Sequence, residues 1–244
     1  MKTQAIAIAT MTWARNEEEE NLLRKSLIAL SDFGSTIFVT DGGSTPSFQE
    51  FLKSLPNIHV MQPSKGLWLQ TKNSLTAAYQ SGAEFIFYTE PDKFDFFSRY
   101  LSSYFQAATA AAQTGIILAS RTVEAFQTFP GFQQMTETTI NKCCAEVMLS
   151  SFDYVYGPFL MRRDIVPYLS HLPDTIGWGW RPYAFNIAAW LGYTITYEEG
   201  NFACPSFQRE DVASERIYRM RQLTQNIEGL VLSTQAALKE KHFS

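Results

Sequence analysis

Three stretches near the start decide the fold: Ala5-Ile6-Ala7-Ile8-Ala9-Thr10-Met11, Asn16-Glu17-Glu18-Glu19-Glu20, and Thr36-Ile37-Phe38-Val39-Thr40-Asp41-Gly42-Gly43-Ser44. The first is a short run of small and β-branched residues, the composition of a buried strand. The acidic run then opens a helix: carboxylates in a first turn complement the positive end of the helix dipole. Leu22, Leu23, Leu27 and Leu30 follow at helical spacing. Thr36 to Thr40 reads as a second buried strand with a glycine-rich exit. Strand, helix, strand in this order describes a parallel βαβ unit.

Working outward, the alternation continues. Residues 58–61 read as a third strand, 69–81 as a helix ending at Gly82, 84–89 as a fourth strand closed by Glu90-Pro91-Asp92, 96–113 as an alanine-rich helix and 116–119 as a fifth strand closed by Ser120-Arg121. In open sheets of this kind ligands bind beyond the carboxyl ends of the strands, which predicts one crevice around Thr12, Asp41, Asp92 and Arg121. Beyond Arg121 the pattern loosens. Residues 126–132 read as an aromatic loop, 137–149 as a helix, 155–160 as a strand-like segment, and 173–183 as a turn-rich stretch leading into a helix to about Leu191. A strand at 194–197 follows. From about Asp211 the series Ile217, Met220, Leu223, Ile227, Leu230, Val231 and Leu238 marks a long amphipathic helix. With no internal repeat or linker, 1–244 reads as a single α/β domain.

Composition bounds the function. Among 244 residues 45% are hydrophobic, 14% aromatic and only 18% charged, which excludes a disordered or collagen-like chain. A net charge of −4 supplies no basic field for a phosphate backbone, so nucleic acid is not an expected partner. Three cysteines, two of them the neighbours Cys143 and Cys144, form neither a disulfide framework nor a zinc pattern. The first residues lack a signal-peptide pattern and no apolar run reaches the length of a membrane span, so a cytoplasmic protein is expected. His59, His171 and His242 are scattered, with no Gly-x-Ser-x-Gly serine, and Gly-x-Gly-x-x-Gly is absent; hydrolases, dehydrogenases and NTPases lack support.

Six motifs in order carry a resemblance: Thr12-Trp13-Ala14-Arg15-Asn16-Glu17-Glu18-Glu19, Asp41-Gly42-Gly43-Ser44, Lys65-Gly66 with Lys72-Asn73, Glu90-Pro91-Asp92, Leu118-Ala119-Ser120-Arg121, and Gly157-Pro158-Phe159-Leu160-Met161-Arg162-Arg163. Over about two thirds of its length the chain resembles family-2-like glycosyltransferases of the GT-A fold. Within them it looks most like the branch of dolichol-phosphate-mannose, mannosylglycerate and glucosyl-phosphoglycerate synthases. The resemblance implies a Rossmann-like, mostly parallel sheet in a three-layer α/β/α arrangement. It divides the chain into a nucleotide-sugar half at 1–122, an acceptor half at 123–205 and a C-terminal helix at 206–244. It also implies a hexosyltransferase-type activity, moving a sugar from a nucleotide-diphosphate-sugar to a small acceptor. The alternative is a catalytically silent nucleotide-binding module of the same fold.

By that resemblance Glu17 and Asp41 hold base and ribose, with Thr12, Ala14, Lys65, Lys72 and Arg121 completing the nucleotide-sugar site. The alternatives are that Asp41 is only a turn residue, that Glu17 to Glu20 are a solvated helix start and that Lys72 is a solvated helix lysine. Glu90-Pro91-Asp92 stands where relatives carry Asp-x-Asp, so Glu90 and Asp92 are the expected ligands of Mg²⁺ or Mn²⁺ bridging the diphosphate. The departures are Glu90, the central Pro91 and the following Lys93; Lys93 or Arg121 would partly replace the cation. Gly157, Trp178, Trp180 and Arg181 are assigned to the acceptor, the tryptophans as flat stacking faces and Arg181 as the fork for an anionic group. Asp92, Arg181 and Asp174 are the catalytic candidates. Either Asp174 is the base that deprotonates the acceptor, or the enzyme is retaining and the donor phosphate assists. Of Arg162 and Arg163, one is expected in a structural ion pair. The mixed charges of the C-terminal helix favour packing within the chain or in a homodimer over a membrane surface.

Overall fold

The computed structural model describes residues 6–108 and 113–241, except the side chains of Phe207 and 237–241. Ala5, the end of the expected 96–113 helix and His242 lie outside the described residues, as does the side chain of Leu238. In chain order the elements are β1 (Ile6–Thr12), α1 (Glu17–Ser31), β2 (Ile37–Asp41), α2 (Pro46–Ser54), β3 (Ile58–Val60), α3 (Leu67–Gln80), β4 (Phe85–Tyr88), α4 (Phe94–Arg99) and α5 (Leu101–Ala108). There follow β5 (Thr114–Arg121), α6 (Val123–Gln127), α7 (Gly131–Met148), β6 (Phe159–Arg162), α8 (Val166–Leu169), α9 (Trp180–Trp190), β7 (Thr194–Gly200) and α10 (Ala213–Lys241). This is an α/β protein whose strands are mostly parallel and flanked by helices.

The chain divides into two compact units. One holds the described residues up to 108 together with Pro158–Ser170; the other holds Gln113–Gly157 and the residues from His171 onward. The division expected at residue 122 therefore falls before β5, and 158–170 belongs with the N-terminal segment. Its reason is a strand pairing: β6 runs antiparallel to β4, with Phe85 opposite Arg162 and Tyr88 opposite Phe159.

In the first unit the strand order is β3-β2-β1-β4-β6, parallel up to β4. Asn16 caps α1 by accepting a hydrogen bond from the Glu19 amide at 2.9 Å, and the helix buries Leu23, Leu27 and Leu30. Such a cap satisfies one of the unpaired amides of the first turn. α2, which the periodicity did not mark, is announced by Thr45-Pro46. The Thr45 hydroxyl accepts from the Phe48 amide at 3.2 Å, and Pro46 stands in the first turn, where its missing N–H costs nothing. The expected helix from 96 is interrupted: α4 ends at Arg99, and Tyr100 leaves helical geometry with φ −121°. Phe87 meets the rings of Phe96, Tyr104 and Phe105, a cluster that accounts for part of the aromatic excess.

A chain of buried hydroxyls ties helix to sheet just below the strand ends. Thr10 Oγ1 donates to the Thr89 carbonyl (2.8 Å), Ser74 Oγ on α3 donates to the Thr10 carbonyl (2.7 Å), and Thr40 Oγ1 lies 2.8 Å from Ser74 Oγ. Buried polar atoms demand partners, so these contacts fix α3 against β1 and the carboxyl ends of β1, β2 and β4 to one another.

In the second unit β5 and β7 run parallel, from Thr114 opposite Thr194 to Arg121 opposite Gly200, with an irregularity between Thr114 and Ile116. Gly115 lies there because a Cβ would come 2.3 Å from Tyr193 Cβ. The expected aromatic loop at 126–132 is shorter than expected: only 128–130 link two helices, α6 and α7. Thr122 caps α6 by accepting from the Ala125 amide at 3.1 Å, and α7 begins at Gly131. α10 packs on α7, α9 and the 3₁₀ segment Asp174–Gly179. Its buried face is mostly small and polar: Gln222, Asn226, Gly229, Leu230 and Ser233. A Cβ at Gly229 would stand 1.9 Å from the Gly179 carbonyl oxygen, so the two backbones touch.

Candidate functional site

The first unit gathers its site at the carboxyl ends of β2, β1 and β4, neighbouring strands in the sheet. Register places Thr12 opposite Asp41. Asp41 is buried and its carboxylate accepts four hydrogen bonds: Oδ1 from the hydroxyls of Thr12 (3.0 Å) and Ser44 (2.6 Å), Oδ2 from the amides of Gly43 (2.9 Å) and Ser44 (2.8 Å). A carboxylate has about four acceptor sites, so Asp41 is saturated by its own turn. Asp41 thereby organises its own turn in this geometry. The same turn binds the β1 exit, since the Ala14 amide donates to Ser44 Oγ (2.8 Å) and the Gly42 amide to the Thr12 carbonyl (2.7 Å). Gly42 is pressed against Gln70 and Trp13: an added Cβ would meet Gln70 Nε2 at 2.6 Å and Trp13 Cβ at 3.1 Å. Gly43 has φ 116°, open to glycine and strained for other residues.

Ser44, Gln70 and Trp13 were not singled out as site residues. Ser44 closes the Asp41-Gly42-Gly43-Ser44 turn, but nothing in the sequence pattern marks a serine that bonds both the aspartate and the other strand's exit. Trp13 is 54% exposed, with the Arg15 guanidinium 5.6 Å from its ring centre. Glu17 is exposed at the first turn of α1. Its neighbour Glu19 takes the structural contacts, accepting from Arg15 Nε (3.0 Å) and Nη2 (2.6 Å).

Glu90-Pro91-Asp92 follows β4 after the single residue Thr89, and all three are half-buried. Lys93 Nζ stands 4.0 Å from Asp92 Oδ1. Among the described residues no group of three or more His, Cys, Asp and Glu side chains is placed to hold a metal. Carboxylate oxygens are the ligand type a hard cation takes, with phosphate and water oxygens completing its shell, and Glu90 and Asp92 supply that type here. Lys65 is exposed before Gly66, whose φ is 96°. Lys72 donates to the Ser170 carbonyl at 3.0 Å, tying α3 to the end of α8. Arg162 is the structural arginine of its pair, 3.6 Å from Glu84.

In the second unit Arg121 is fully engaged. Its Nε donates to Asp153 Oδ2 (2.7 Å), and its Nη2 to Asp153 Oδ1 (3.0 Å) and Glu137 Oε2 (2.7 Å). The rings of Phe126 and Phe129 lie 4.7 and 4.5 Å from the guanidinium. Burial works against the charge of Arg121, but Glu137 and Asp153 outweigh it and raise its pKa. Burial likewise opposes the Asp153 carboxylate, and Arg121 with Asn141 more than compensates, holding its pKa below the usual range. Arg121 is therefore a structural cation rather than a phosphate ligand. Its partners lie 16 and 32 positions away along the chain, which hid them from the sequence.

The acceptor assignments are corrected as well. Arg181 is buried, its Nη2 donating to the carbonyls of Tyr154 and Gly157 (both 3.2 Å), so it clamps the Gly157 turn from within. Trp180 is 0% exposed and cannot offer a stacking face. Trp178 is also buried, its Nε1 donating to the Tyr218 hydroxyl (2.9 Å) and its amide to Gln225 Oε1 (3.1 Å) on α10. Asp174 is exposed at the start of the 3₁₀ segment.

No protein-family model matches the sequence, and no curated protein matches it either. Solved structures do. A mycobacterial protein shares 12% identity at a TM-score of 0.66, over 94% of this chain and 74% of its own. Glucosyl-3-phosphoglycerate synthase from Mycobacterium tuberculosis in complex with UDP shares 13% at a TM-score of 0.67, over 94% and 80%. The same enzyme with Mn²⁺, UDP-glucose and phosphoglyceric acid shares 13% at 0.62, over 94% and 79%. These likenesses establish the fold: GT-A, Rossmann-like α/β.

Proposed function

We propose that this chain is a glycosyltransferase of the hexosyltransferase type, moving a sugar from a nucleotide-diphosphate donor to a small anionic acceptor. One observation carries the reading: the glycine turn organised by Asp41 and the Glu90-Pro91-Asp92 exit stand at the carboxyl ends of β2 and β4, the two strands that flank β1 in the first unit, where such sheets bind ligands. Asp41 serves as the organiser that opens the Gly42-Gly43 backbone, with Thr12 and Ala14 bonded into its turn and Glu17 and Lys65 as the further nucleotide-sugar residues. A divalent cation, held by Asp92 with Glu90, would neutralise the diphosphate leaving group as the glycosidic bond breaks. The anionic acceptor is supported by the phosphoglyceric acid held by the fold neighbour, since Arg181 is occupied within this chain. The reaction is either inverting, with a carboxylate as the base, or retaining, with the donor phosphate assisting the acceptor.

The second reading, a catalytically silent nucleotide-binding module, is favoured by the internal engagement of Arg121, Arg181, Trp178 and Trp180. Isothermal titration with UDP and GDP, each with and without Mn²⁺, separates the readings when followed by transfer assays on glycerate, phosphoglycerate and neutral sugars. Binding followed by transfer to an anion supports the enzyme. Binding without turnover of any donor supports the silent module, and no binding sinks both.

A further inference from the structure

α10 is packed with its polarity reversed. Surface helices turn apolar residues inward and polar residues outward. Here Gln222, Asn226, Gly229 and Ser233 are buried, while Ile217, Met220 and Val231 are 49%, 48% and 50% exposed. The inward side is held by specific contacts: Asn186 Nδ2 donates to Ser233 Oγ (3.0 Å), Gln225 accepts from the Trp178 amide, and Gly229 lies on the Gly179 backbone. The outward series is Ile217, Met220, Thr224, Ile227, Val231 and Thr234, of which only Ile227 is half-buried. Its spacing alternates three and four, a period of about 3.5 residues, the repeat of a seam between two helices rather than of a helix lying on its own core. A shallow groove runs along it past Arg221 and Gln225.

Charge selects the partner. Exposed Arg221 and Glu228 follow Met220 and Ile227 on the same flank of the seam, on opposite sides of its middle at Thr224. When two copies of α10 cross antiparallel about that middle, Arg221 of each meets Glu228 of the other, twice over. A parallel pair would instead set Arg216 of one copy beside Arg221 of the other, two cations. Flanking charges of this kind set helix orientation. We propose that this face of α10 is the interface of a two-fold homodimer formed by antiparallel pairing of the C-terminal helices.

Sedimentation equilibrium of the full chain over a concentration series tests the proposal, with near-UV circular dichroism confirming the fold of each variant. The expected result is a concentration-dependent dimer that Met220→Glu abolishes and Met220→Leu retains. Arg221→Glu should weaken the dimer at least about fivefold at low salt, and adding Glu228→Arg should restore it. Both of these positions are exposed, so the charge pair decides even where Met220→Glu disturbs folding. A monomer at every concentration, a dimer indifferent to Met220→Glu, or a dimer tightened by Arg221→Glu overturns the proposal. So does a monomer that co-sediments with phosphatidylserine vesicles, which would make the stripe a lipid-docking face.

Discussion

Asp153 is the residue on which the interior cation of the second unit depends. Removing one partner of a buried ion pair strands the other, at a cost of about 3–5 kcal/mol. Because Glu137 still holds Arg121, Asp153→Asn should fall at the low end, about 3 kcal/mol by urea unfolding at pH 7. The sign with pH follows from the lowered Asp153 pKa. Its stabilisation is complete above the unfolded value of about 3.9 and is lost as pH falls through the folded one. The gap between wild type and Asp153→Asn should thus hold from pH 7 to about pH 5 and narrow towards pH 3; a gap that widens in acid contradicts the assignment. Cys144 gives a second residue-level expectation. Burial foremost, then the neighbouring Cys143, pushes its thiol up to about 12 against an opposing effect of Arg181. Iodoacetamide at pH 8 should leave Cys144 unmodified in the folded chain and alkylate it in urea, as mass spectrometry would show. At this scale the sequence was least legible. An arginine closing a strand reads the same whether it faces a ligand or two carboxylates, and a tryptophan beside a glycine reads the same whether it is open like a platform or sealed like Trp180.

At the scale of elements, the contact between α10 and the segment before α9 sets the strongest constraint. Ala in place of Gly gains about 1 kcal/mol of helix propensity in an ordinary helix. At Gly229 the added Cβ would strike the Gly179 carbonyl, a backbone atom that cannot turn aside. Overpacking costs of about 1–3 kcal/mol or more should win, so Gly229→Ala is expected to lower stability in chemical denaturation. A stabilised variant would show that α10 does not lie this close. Elements with a clear period were legible from the sequence: β1, α1, β2, α3 and α7 stand within a few residues of their expected places, apart from the early start of α7. α2 was missed because Thr45-Pro46 is a cap signal before a short helix. The start of α9 was missed because Gly177, Gly179 and Pro182 look like a turn, although proline is tolerated in a first helical turn. The stripe on α10 was visible, but periodicity cannot say which face turns inward when the inward face is polar.

For the whole molecule, the strand-end cluster makes a quantitative expectation of the nucleotide site. If Asp92 holds a cation on the diphosphate, Asp92→Ala should weaken UDP binding about tenfold in Mn²⁺, roughly 1.4 kcal/mol, and leave metal-free binding unchanged in titration calorimetry. Equal loss in both conditions would assign Asp92 to the polypeptide rather than to the cation. The acidic balance of the sequence, read first as excluding nucleic acids, suits the carboxylates proposed for the nucleotide site, Glu17, Glu90 and Asp92. The overall layout was legible because alternating elements leave a strong signal. The course of 158–170 was not, because an antiparallel strand carries no mark of its partner. That course has a consequence for biosynthesis. When β4 leaves the ribosome its far edge is bare, and β5, α6 and α7 must all be synthesised before β6 arrives to cover it. Until then the nascent chain presents an apolar strand edge able to recruit other chains, so the interval between β4 and β6 is its window of greatest exposure to aggregation and chaperone capture.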